Sequence, residues 1–123
     1  MKNVMSINKA LQAWHQSMQL VSQIYHLLPN GSEVSYNLQF RQSANGISHL
    51  IAEALGKNTY KSYINHFSQA NALINELKTE LKLAALTDNL HVTDYLILVN
   101  SATIVQEILV EALTKITQQK NNL

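Results

Sequence analysis

After Ser6, an N-cap candidate, Ile7, Leu11, Trp14, Met18, Val21, Tyr25 and Leu28 recur in steps that alternate between four and three. That spacing is an a/d seam on one face of a helix and predicts helix over residues 6–28. Pro29-Asn30-Gly31-Ser32 ends it, because proline disfavours helical backbone at the preceding residue and glycine accepts positive φ. Ser32 then caps a second helix, with Glu33 near its positive end. This helix is predicted over 33–55, with Leu38, Phe40, Ala44, Ile47, Ile51 and Ala54 or Leu55 as its buried stripe. Its centre, Ser43-Ala44-Asn45-Gly46-Ile47-Ser48, is small and polar. Glycine inside a helix costs about 1 kcal/mol against alanine, so Gly46 predicts close approach by a neighbouring helix.

Gly56-Lys57-Asn58 makes the next break, and Asn58 or Thr59 caps a third helix over 59–86. Its stripe is Tyr60, Tyr63, Ile64, Phe67, Ala70, Ile74, Leu77, Leu81 and Ala84. Thr93-Asp94 opens the fourth helix, over 94–117, where Tyr95, Leu98, Ala102, Val105, Leu109, Ala112 and Ile116 repeat the pattern. The tail from Gln118 to Leu123 has no period and is expected to fray. Four amphipathic helices joined by short loops make consecutive helices antiparallel neighbours. The predicted fold is all-α: an up-down-up-down antiparallel four-helix bundle filling residues 1–123 as a single domain.

Composition narrows the chemistry. Hydrophobic residues make up 46% of the chain, enough for a core, and only 14% are charged. The absence of cysteine removes disulfides, thiolate catalysis and Cys-based zinc sites. A net charge of +1 supplies no global field that would mark out nucleic acid or membrane. No uninterrupted apolar run approaches the roughly 18 residues of a membrane span. The N-terminus has no hydrophobic signal core, so the expected location is cytoplasmic and no membrane partner is expected.

Metal and enzyme motifs fail on spacing. A di-iron bundle needs Glu-x-x-His on two helices, but the residues three after Glu33, Glu53, Glu76, Glu80, Glu107 and Glu111 are Tyr36, Gly56, Thr79, Leu83, Val110 and Thr114. His-Glu-x-x-His is absent, as is a glycine-rich phosphate loop. His15 and His26 share a helix face but stand too far apart to ligate one ion. His49 and Glu53 read as a local i, i+4 pair, while His66 has no acidic partner at a useful spacing. The single arginine, Arg41, precedes His49 by more than the short Arg–His spacing of small helical ribonucleases. No catalytic, metal-ligating or cofactor-binding residue is expected, and no enzyme.

Charge placement leaves two contact readings. Arg41, Lys57 and Lys61 are the nucleic-acid candidates, grouped near the second and third helices. So few cations neutralise few phosphates, giving weak and strongly salt-dependent binding. Glu107 and Glu111 form a like-charged pair with no lysine opposite them on the third helix; His15 is the candidate on the first. They are therefore the candidates for a contact with another copy.

The segment Gln39-Phe40-Arg41-Gln42-Ser43-Ala44-Asn45-Gly46-Ile47-Ser48-His49-Leu50-Ile51-Ala52-Glu53-Ala54 resembles the Q-I-R-R-A-A-x-S-I-P-x-N-I-A-E-G signature of the 23S rRNA intervening-sequence, or four-helix bundle, protein family. The likeness continues through Tyr63, Phe67 and Ala70 into Asn75-Glu76-Leu77-Lys78-Thr79-Glu80-Leu81, similar to the family's N-E-L-E-T-Q-L. Departures fall at Gln42, Ser48, Leu50 and Ala54, where the family has Arg, Pro, Asn and Gly. The resemblance implies a four-helix bundle assembling as a homo-oligomer, commonly a pentameric ring, without an established activity. A related branch, the accessory variability proteins of diversity-generating retroelements, binds a reverse transcriptase and nucleic acid. Those proteins are typically strongly basic and this chain, at a net charge of +1, is not, so the resemblance to them implies only the alternative expectation, an accessory subunit with a reverse-transcriptase partner. The first expectation is a non-enzymatic oligomeric scaffold with weak RNA binding.

Overall fold

The computed structural model describes residues 4–28 and 35–122, with side chains from Ile7 to Leu28 and from Tyr36 to Asn122. Four helices, α1 (Val4–Leu27), α2 (Ser35–Lys57), α3 (Tyr60–Leu86) and α4 (Val92–Asn121), follow one another without a strand among the described residues. Each helix packs on its two ring neighbours, α1 on α2 and α4, and α3 on α2 and α4. The result is the up-down-up-down bundle that the short loops require.

Ends differ from the sequence expectations in instructive places. Helix α1 starts at Val4, before Ser6, so Ser6 lies inside it rather than capping it. Residues 29–34, with the Pro29–Ser32 turn and the Ser32 cap, lie outside the described residues. Gly56 and Lys57 remain helical, and the break falls at Asn58, whose φ of 52° is left-handed. Thr59 caps α3, its side-chain oxygen accepting from Ser62 N at 3.1 Å. His91 rather than Thr93 caps α4, accepting from Thr93 N. The patternless tail does not fray at Gln118, since α4 runs to Asn121.

The core is a column of alternating large and small side chains, from Phe40, Ile47 and Ile51 on α2 through Phe67, Ile74 and Leu77 on α3 to Leu98, Val105 and Leu109 on α4. Here the α3 and α4 stripes lie as the period predicts, while α1 is rotated. Ala10, Ala13, Ser17, Leu20 and Ile24 face the centre, and the predicted seam residues Leu11, Met18 and Tyr25 stand 42%, 41% and 47% exposed. Small residues let α1 approach closely, so bulk sits beside the interface instead of in it. Leu38 is likewise exposed, on the outer flank of α2.

Gly46 answers to α3. A Cβ there would sit 3.2 Å from Leu73 Cδ1, the close approach its place in the sequence predicted. Helix α4 is long and apolar enough to cross a membrane by composition, with a window of mean hydropathy 1.6. Polar residues interrupt its apolar positions, which is why no continuous run shows in the sequence. In the bundle its Leu98, Ala102, Val105, Leu109, Ala112 and Ile116 are buried against the other helices.

Candidate functional site

Helices α2 and α3 meet along a row with one register. Gln39 pairs with Glu80, Gly46 with Leu73, and Glu53 with His66. Successive members are seven residues apart on each helix, two turns of antiparallel packing. At the end nearest the α2–α3 loop, Glu53 Oε2 lies 3.0 Å from His66 Nε2 and Oε1 lies 2.6 Å from His49 Nε2. His66 Nδ1 lies 2.8 Å from the Ser62 carbonyl. Burial pushes the Glu53 carboxyl up, but His49 and His66 together outweigh it and hold it below the ordinary value. The His49–Glu53 pair was legible as i, i+4; the His66 partner was not, because it comes from another helix.

Beside this cluster, Lys57, Thr59, Lys61, Ser62, Asn65 and His66 line an open depression. Two of the three nucleic-acid candidates, Lys57 and Lys61, flank it and are exposed. The third is elsewhere. Arg41 lies sixteen residues before Lys57 on α2, about 24 Å away along the axis. Its Nη2 donates to the Leu28 carbonyl at 2.6 Å and its guanidinium lies 4.8 Å over the Tyr25 ring. Arg41 thus closes the C-terminal end of α1, where a cation is favoured.

The acidic pair also resolves unevenly. Glu111 takes Lys115 on its own helix at 3.2 Å and Lys9 of α1 at 3.3 Å, and these two, Lys115 first, draw its carboxyl below the ordinary range. The partner on α1 is therefore Lys9, not His15. Glu107 is exposed and makes no ion pair among the described residues.

Glu80, four residues after Glu76 on α3, is buried. Its Oε1 accepts from Gln39 Nε2 at 2.7 Å, while Oε2 has no hydrogen-bond donor among the described residues. Burial, then the charge of Glu76 one turn earlier, pushes its carboxyl up, against the pull of Gln39. Among the described residues no group of His, Asp or Glu side chains has the geometry to hold a metal ion. His49 and His66 are instead both held by Glu53.

The described geometry is that of a closed bundle with polar contacts between helices and apolar and cationic patches outside. Over residues 9–111 the chain matches the model of the 23S rRNA-intervening sequence protein family. It belongs to that family. A crystal structure of a protein of unknown function from the S23 ribosomal protein family of Bacteroides thetaiotaomicron superposes with a TM-score of 0.69 at 22% identity, covering 93% of this chain and 99% of that one. At that identity the likeness shows the fold. No curated protein matches the chain.

Proposed function

We propose that this family member is a non-enzymatic scaffold that assembles with copies of itself into a ring, five being the number its family resemblance implies, and holds RNA backbone weakly. What supports assembly is one observation: with the interior filled, Leu11, Met18 and Tyr25 on α1 and Leu96, Ile97 and Ile104 on α4 remain exposed. Exposed large apolar side chains grouped on two helix faces mark contact sites more often than isolated ones do. The RNA contact rests on Lys57 and Lys61 at the α2–α3 loop end; Arg41, engaged at the end of α1, does not belong to it. Two cations per copy bind weakly alone, and a ring multiplies them.

The test is anisotropy of a labelled single-stranded RNA at low salt. Binding is expected to weaken with a log–log salt slope of about 0.7 per phosphate neutralised. Lys57→Glu with Lys61→Glu abolishes it while helical circular dichroism is unchanged. Equal binding by the double variant contradicts the RNA contact.

A further inference from the structure

The α1 seam has the strict alternation of four and three that belongs to a helix meeting another helix along its length, yet the bundle uses a different face. Helix α2 covers only one flank of it, and with polar groups: Ser48 Oγ reaches Met18 Sδ at 2.9 Å and Asn45 Nδ2 reaches the Tyr25 hydroxyl at 3.0 Å. We infer that, given the self-assembly reading above, this seam packs antiparallel on the outer face of α4 of the next copy, with His15 opposite Glu107, Met18 on Ile104 and Tyr25 on Ile97.

The register comes from the molecule itself. Lys9 reaches Glu111, and Ser101 donates to Gln23, so α1 and α4 carry a common height scale. Copies related by rotation about an axis parallel to the bundle keep every residue at its height. On that scale His15 is level with Glu107, Met18 with Ile104 and Tyr25 with Ile97. Two exposed seam residues, Met18 and Tyr25, thus meet apolar α4 residues, 37% exposed at Ile104 and 39% at Ile97, while Leu11 falls level with Glu111. Charge agrees at one level: α1 contains no acidic residue, and its His15 stands level with Glu107, which makes no ion pair among the described residues. Lys9 and Lys115, by contrast, are held by Glu111 within the chain. Two different faces of one chain in contact make a heterologous interface, which closes into a ring when the rotation allows.

The experiment is native mass spectrometry of wild type, Met18→Glu and Ile104→Glu, each checked by circular dichroism, and of the two variants mixed at about 100 μM, well above the micromolar range of ordinary interfaces. Wild type is expected to assemble, each variant to be monomeric, and the mixture to stop at a one-to-one heterodimer, since each partner keeps one intact face. Glu107→Lys should weaken assembly at neutral pH, and adding His15→Glu to it should restore it. An assembled wild type whose variants stay assembled, whose two faces respond differently, or whose mixture forms no heterodimer overturns this pairing and leaves self-assembly standing. A monomeric wild type overturns both.

Discussion

Glu80 is buried with one donor, the Gln39 amide, on its carboxylate and the Glu76 carboxylate beside it, and that has a measurable consequence. Its folded value is raised above the unfolded 4.5, so its contribution to stability is fully present below about pH 4.5 and is lost as pH rises through the folded value. Glu80→Gln keeps the acceptor for Gln39 and supplies a donor toward Glu76. It should stabilise the protein by on the order of 1 kcal/mol at pH 7, with the two proteins converging near pH 4, as read by urea unfolding. A variant weaker than wild type at pH 7 would show that the charged form is the one the fold prefers. Leu77 and Leu38 make a second pair at this scale. Leu77 is fully buried and Leu38 is 63% exposed, so Leu77→Ala should cost about 2–5 kcal/mol and Leu38→Ala less than about 0.5 kcal/mol. Both were read as core from the sequence. Period alone places Leu77 correctly, because α3 has one apolar stripe. It misplaces Leu38, which stands two residues from Phe40, on the other side of α2.

At the scale of the helices, α3 and α4 were legible because their three-and-four stripes coincide with the face the bundle buries, although α4 carries further apolar residues outside it. Helix α1 was not, because it carries two stripes. Its larger stripe, from Ile7 through Tyr25, outcompeted Ala10, Ala13, Ser17, Leu20 and Ile24 in any reading weighted by hydrophobicity. Close packing chose the smaller side chains. Trp14, only half-buried at the edge of the core, should therefore lose less on truncation to alanine than the fully buried Leu77. Between helices, the levels along the α2–α3 row were within reach of the sequence, but the pairing of Glu53 with His66 was not. A loop centred beside Asn58 sets Glu53 level with His66, and only the rotation of each helix was missing. That clasp predicts an acid limb: Glu53 lies below its ordinary 4.5 in the folded protein, so its contribution is present above about pH 4.5 and disappears as pH falls through the folded value. Glu53→Gln should lower the thermal midpoint at pH 7 and match wild type near pH 3. An equal deficit at both pH values would mean that the contact between the Glu53 carboxylate and the histidines contributes nothing.

For the whole molecule, the interior and the exterior are legible to different degrees. Four stripes, three short breaks and a low glycine and proline count sufficed for the topology. The surface was harder, since Arg41 and Lys57 are near in sequence terms yet stand at opposite ends of α2, and Glu111 found Lys9 through a fold in which first and last helices touch. What the family match and the bundle leave exposed are faces suited to contact: an apolar seam on α1, an apolar and acidic face on α4, and two lysines at one end. The central claim is that the α1 and α4 faces join copies of the chain. Light scattering on the eluting wild-type protein measures it most directly: the account predicts a discrete mass near five times the 13.8 kDa chain, and a mass of one chain at every concentration would contradict it.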